Sequence, residues 1–117
     1  MSNSSVSKVG MVIHPVEDLD ETARFYREGL GLEEAFRDGD RFCAFSVGGV
    51  MVALAAGDER LTESAAVSYK VDDVAAMVAK LEAAGATTLR APEEGPHEIR
   101  AVLRDPAGHP LIVYSGK

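Results

Sequence analysis

The sequence predicts an α+β fold made of two tandem strand–helix–three-strand modules. Three observations predict it. Helical stripes of apolar residues occur twice, each directly after a β-branched extended run. Sliding the chain by 55 residues lays Val16-Glu17-Asp18-Leu19 onto Val71-Asp72-Asp73-Val74, a signal of internal duplication. Each helical stripe is then followed by short apolar runs separated by glycine-rich or proline-rich turns.

Taken in order, "KVGMVIHPV" is β-branched and apolar, and its proline favours extended geometry in the residue before it, so a strand runs to about His14. In "DLDETARFYREGLG", Leu19, Ala23, Tyr26 and Leu30 make one helical stripe, with Asp18 as N-cap, Glu21 three residues on, and Gly29 and Gly31 at the exit. A short strand is expected from about Glu33 to Phe36. In "RFCAFSVGGVMVALAAG" two apolar runs meet at Gly48-Gly49, a hairpin signal. The second half repeats the plan. "AAVSYKV" is a strand, and "DDVAAMVAKLEAAG" is a helix with Val74, Met77, Val78 and Leu81 inward and Gly85 at its exit. "TTLRA" and "HEIRAVLRDPAGHPLIVYS" supply further strands, and Asp105-Pro106-Ala107-Gly108 has the order of a type I turn, with Pro second and Gly fourth.

With 117 residues, the chain is expected to form a single domain over 8–117, module one at about 8–57 and module two at about 64–116, after a disordered tail at 1–7. A chain of this size buries roughly two thirds of its unfolded surface and needs neither disulfide nor metal to fold. A net charge of -7 without a basic cluster argues against nucleic acid and anionic membrane as partners. The one cysteine, Cys43, cannot close an internal disulfide and is read as an inert, half-buried strand residue, which suits a reducing compartment. The opening "MSNSSVSK" lacks a signal-like apolar core and no run approaches a membrane span, so a cytoplasmic protein is expected.

The frame "VEDLDETARFYREGLGL", the second "VDDV" with its later "AGA", and the "DPAGH" turn together resemble the vicinal oxygen chelate superfamily, which includes glyoxalase I, extradiol dioxygenases, methylmalonyl-CoA epimerase and the bleomycin-resistance proteins. The resemblance runs from about Lys8 to Ser115. It implies two βαβββ modules whose mixed sheets curl into a cup with the helices outside, and in most small members a homodimer that completes two ligand cavities.

The resemblance also implies where a divalent metal would be held in the enzyme members. The first ligand position, seven residues before the aspartate that opens the first helix, is Met11, and its counterpart seven before Asp73 is Ala66. The late glutamate position, seven after Asp105, is Ile112, and the remaining acidic position falls in "VMVAL", Val50–Leu54. All are apolar, and a lone thioether does not hold such an ion. No metal and no cofactor are therefore expected. His14 lies an odd number of residues beyond Met11, so strand alternation turns it to the opposite face. It is read as a packing residue between sheet and helix, with a place at the cavity lip if a bulge shifts the strand. His97 and His109 are read as loop and turn residues.

Without the metal, the resemblance leaves a ligand cup. If the strands keep the family's phase, Met11, Ile13, Ala66, Ser68, Lys70, Ile112 and Tyr114 face it, as ligand-binding and not catalytic groups. Such a wall suits a flat, partly aromatic molecule held by burial and a few hydrogen bonds. Glu98 and Arg100 are candidates for the mouth whose facing the sequence leaves open. The leading expectation is a metal-independent binding protein resembling the bleomycin-resistance branch, sequestering an apolar or aromatic ligand such as a natural-product antibiotic. The alternatives are an enzyme of the superfamily with relocated metal ligands, a metal-free lyase or isomerase using Glu98, His14 or Tyr114, and a structural dimer that binds nothing.

Overall fold

The computed structural model describes residues 5–117. The chain runs β1 (Val6–Pro15), α1 (Leu19–Arg24), β2 (Glu33–Asp38), β3 (Phe42–Val47), β4 (Val50–Ala55), β5 (Ala66–Val71), α2 (Val74–Ala83), β6 (Thr87–Glu94), β7 (Glu98–Arg104) and β8 (Pro110–Gly116). The mixed α+β class and the repeat of strand, helix and three strands are both present. Residues 1–4 of the expected tail lie outside the described residues, and β1 begins at Val6.

Two compact units divide the chain, Met11–Ala65 and Ala66–Lys117, the second also taking the chain up to Gly10. β1 therefore serves both, which differs from a module boundary drawn at residue 8. Ser7 Oγ donates to the Lys70 carbonyl at 3.3 Å within the second unit.

In the first unit the strand order is β2-β3-β4-β1, with β1 parallel to β4 and the other pairs antiparallel. Parallel return to β4's neighbour is possible because α1 and the intervening hairpin strands carry the chain over. The Asp18 carboxylate accepts from the Glu21 N–H at 3.0 Å and caps α1 as expected. One face of the sheet is covered by α1, with Leu19, Ala23, Cys43, Phe45, Leu54 and Ala56 forming the core and Val16, Tyr26 and Leu32 packed on it. Two expectations change here. Cys43 is fully buried, not half-buried, because it pairs across the sheet with Leu54 beneath the helix. Burial pushes its thiol pKa up, which keeps it inert. Leu30 is 60% exposed and lies outside the stripe, because α1 passes into a π-helical turn at Phe25–Gly29. The wider turn adds residues per revolution and rotates Leu30 off the apolar face.

In the second unit the order is β5-β8-β7-β6, with β5 parallel to β8. The Asp73 carboxylate caps α2 through the Ala76 N–H at 3.0 Å. Val71, Val74, Met77, Val78, Ala101, Leu103 and Val113 form the core beneath α2, joined by Tyr69, Leu81, Ile99 and Leu111. Since α2 covers residues 69, 71, 99, 101, 103, 111 and 113, period-two alternation turns 66, 68, 70, 98, 100, 102, 112 and 114 to the opposite, helix-free face.

The hairpin at Gly48-Gly49 has both glycines at positive φ (53° and 88°), which lets a two-residue loop match the strand twist. At the other turn, Asp105 Oδ1 accepts from the backbone N–H groups of Ala107 and His109, each at 2.9 Å, and its carbonyl accepts from Gly108 N–H. Those donors, His109 first, hold the Asp105 carboxyl below the usual carboxylate range. A depressed folded value means that the ionised carboxylate stabilises the fold above its unfolded pKa of about 4, and that this support is lost as pH falls through the folded value. Asp105→Ala is expected to lower the urea midpoint at neutral pH and to converge with wild type under acid. Denaturation curves at several pH values check this. A gap that persists at low pH would show that the charge is not what the turn uses.

Candidate functional site

The site is built most clearly on the helix-free face of the second unit. There β5 contributes Ala66, Ser68 and Lys70, and its parallel neighbour β8 sets Ile112 beside Ser68 and Tyr114 beside Lys70. On the other side of β8, the antiparallel register sets Val102 beside Ile112 and Arg100 beside Tyr114. Two cross-strand rows result. One, Ser68–Ile112–Val102, is apolar with a single hydroxyl, and the other, Lys70–Tyr114–Arg100, is polar throughout. Ala66, Ser68 and Ile112 are buried, while Tyr114 is half-buried and Lys70 exposed. The five second-module residues expected to bind ligand thus share one face, with the first three as its floor and the last two at its accessible rim.

Arg100 joins this face and is 7% exposed. Its Nη1 donates to Glu98 Oε2 at 3.1 Å, and the two residues lie on the same face of β7, two positions apart. Gly95, in the turn between β6 and β7, closes over the guanidinium. A Cβ there would stand 2.7 Å from Nη1 and 2.8 Å from Cζ. Gly95 N–H donates to the Glu98 carbonyl at 2.7 Å, so the turn, the carboxylate and the guanidinium are tied together.

Tyr114 is held on another glycine. A Cβ on Gly10 of β1 would lie 2.2 Å from the phenol oxygen and 2.7 Å from Cε1, so the ring occupies the space that any other residue would fill. Burial, with the nearby negative charge of Glu98, pushes the Tyr114 pKa up and keeps its hydroxyl a proton donor at neutral pH.

In the first unit, Ile13 pairs with Ala53, and Ala53 in turn with Ala44. Ile13 belongs to this unit's helix-free face, together with Met51, Phe42 and Phe36, the last two stacked at 5.8 Å, while Met11 precedes the stretch of β1 paired with β4, Val12–Pro15. His14 pairs with Leu54 on the helix-covered face, and its ring stacks on Tyr26 at 6.1 Å. No bulge returns it to the other face.

These residues do not fit the metal that the resemblance implies. Met11, Ala66 and Ile112 stand at three of the four ligand positions, and on β4 the helix-free positions are Met51 and Ala53. Among the described residues, no three His, Cys, Asp or Glu side chains come together as a set able to hold an ion. The groups present offer hydrogen-bond donors and apolar surface instead.

Four residues at the face were not legible as members of it. Arg100 and Glu98 lie in "EIRAVLR", where consecutive apolar residues at 101–103 hide the alternation. Gly10 and Gly95 carry only the general signal that an isolated strand or turn glycine marks a close approach.

A family model described as a glyoxalase-like domain matches residues 10–114. A protein of Mycolicibacterium smegmatis, described only as uncharacterized, is 39% identical over 109 residues, covering 92% of this chain and 93% of that protein. Among solved structures, a glyoxalase/bleomycin resistance protein/dioxygenase superfamily member from Vibrio splendidus 12B01 superposes with a TM-score of 0.71 at 18% identity, covering 92% of this chain and 97% of that one. The Mn(II)-bound glyoxalase of Novosphingobium aromaticivorans gives a TM-score of 0.65 at 26% identity over 97% of this chain, which spans 40% of that protein.

Gly10→Ala is expected to cost about 1–3 kcal/mol, the range for forcing a group into a packed site. In a Tyr114→Ala background the clash partner is gone, and the cost should shrink to within about 1 kcal/mol. A double-mutant cycle by urea unfolding measures the coupling. Equal costs in both backgrounds would mean that Tyr114 does not rest on Gly10.

Proposed function

Since the chain belongs to the glyoxalase-like domain family, we propose that it is a metal-independent small-molecule binding protein that sequesters an apolar or aromatic ligand. The ligand lies against the helix-free face of the second module. Ala66 and Ile112 supply apolar floor, Ser68 orients a polar group, and Tyr114 stacks or donates its hydroxyl at a rim shared with Lys70. Ile13 lies on the corresponding face of the first module, with Met11 before it on β1. The observation that carries the reading is a substitution of chemistry at fixed places: apolar side chains at the positions of the implied metal ligands, with hydrogen-bonding groups beside them on the same strands. Natural-product antibiotics with planar rings are the first class to screen.

The same proposal includes a homodimer. Its support is the apolar surface left open on the first module, where Phe36, Val47 and Val50 are each at least 38% exposed. A monomer in light scattering at micromolar concentration would remove this part.

Titration calorimetry against a panel of planar natural products tests the main reading. At least one is expected to bind with a Kd of roughly micromolar or tighter, about -8 kcal/mol, on chelator-treated protein. Uniformly millimolar or weaker binding would overturn it. Stoichiometric zinc, nickel, iron or manganese in protein purified without chelator would overturn the metal-independent part.

One further observation favours a second reading, a metal-free lyase or isomerase. Tyr114 and Glu98 share the helix-free face of β8 and β7, a hydroxyl donor and a carboxylate acceptor of the kind acid–base chemistry uses. Turnover that disappears in Tyr114→Phe while ligand affinity is kept would select it over sequestration.

A further inference from the structure

We infer that the ligand carries a single carboxylate, received by the row of donors Lys70, Tyr114 and Arg100 on the helix-free face of the second module. This deepens the binding reading above and rests on it.

The register places the three residues side by side. Lys70 pairs with Tyr114 across β5 and β8, and Tyr114 with Arg100 across β8 and β7. Neighbouring strands are about 4.8 Å apart, so the three backbones fall within about 10 Å on one face. An ammonium, a phenol and a guanidinium all donate hydrogen bonds, and an arginine suits planar, two-oxygen acceptors best. The phenol keeps its proton at neutral pH, as described above.

Charge favours an anion, and a singly charged one. The chain as a whole carries -7, yet register and alternation gather Lys70, Arg90, Arg100 and Arg104 on this face of the second module with Glu93 and Glu98. Glu98 bridges Arg100, and Glu93 bridges Arg90 at 2.9 Å. Because the Glu98 carboxylate stands beside the guanidinium, a carboxylate ligand meets less like-charge repulsion there than a phosphate dianion would.

Geometry adds pre-organisation. The Arg100 guanidinium is held between the Glu98 carboxylate and the backbone of Gly95, so little side-chain freedom is left to lose on binding. The adjacent row, Ser68–Ile112–Val102, is the apolar surface on which a ring attached to the carboxylate would lie.

Calorimetry of the full chain with three matched probes tests the inference: naphthoate, its neutral counterpart naphthamide, and naphthyl phosphate. Naphthoate should bind about tenfold or more tighter than naphthamide, the scale of hydrogen bonds to a charged group. That preference should fall in Lys70→Met, an exposed position that does not threaten folding, and in Arg100→Gln where this variant folds. Equal affinity for naphthoate and naphthamide, or a preference untouched in Lys70→Met, would overturn the inference and leave the binding reading standing. Tighter binding of naphthyl phosphate would overturn the monocarboxylate assignment. Failure of all three probes to bind would count against the aromatic-ligand reading itself, and the inference would fall with it.

Discussion

Each module rests on one constraint: a four-stranded sheet has two faces and only one helix to cover them. Strand alternation makes the division sharp, since residues one apart point to opposite faces. In the second module α2 takes Val71, Leu103 and Val113, and in the first α1 takes Cys43, Phe45 and Leu54. What remains on the other face is set by register alone. Every residue assigned to the candidate site follows from that partition, and a slip of one residue in β8 would exchange Tyr114 for Val113 or Ser115.

That constraint also explains how much could be read from the sequence. The modules, the Asp18 cap, the glycine hairpin and the Asp105 turn were legible because each depends on a local chemical signal. His14 was legible too, because its distance from Met11 is an odd number of strand residues. The signals that failed were those in which periodicity is blurred. Leu30 fitted a 3.6-residue stripe, but the π-helical turn at Phe25–Gly29 changes the period just before it. β6 continues to Glu94 past Pro92, although proline argues against a strand. It is tolerated because β6 is the outer strand of its unit and its register shifts between Arg90 and Glu93. Arg100 and Glu98 were ambiguous for a similar reason, since Ala101, Val102 and Leu103 are all buried and give no alternation to count from.

The two glycines at the site show a different limit. Gly10 and Gly95 are required by what approaches them in space, Tyr114 in one case and Arg100 in the other. Their partners lie far along the chain or across a turn. A sequence can mark such a glycine as unusual, but it does not name the side chain that needs the room. The consequence is functional as much as structural, because these contacts fix the phenol and the guanidinium of the polar row before any ligand arrives.

The Arg100–Glu98 pair is difficult to explain by stability. Removing the guanidinium from water costs several kcal/mol, Glu98 staying partly exposed, and well-packed apolar replacements for buried ionic groups are often neutral or stabilising by about 1–4 kcal/mol. The face around it shows that apolar residues are readily accommodated there: Ala66, Val102 and Ile112 are each at most 4% exposed. A fold that needed only to fill this face would continue that pattern through residue 100. Retaining a paired guanidinium beside Tyr114, with Gly95 open to receive it, costs stability at a position where the strand pairing does not demand a charge. Recognition of a ligand carboxylate by the guanidinium, as proposed, would offset that cost. Arg100 differs in this from the ion pairs at the surface, such as Arg41–Asp38, whose charges stay in contact with water at little cost.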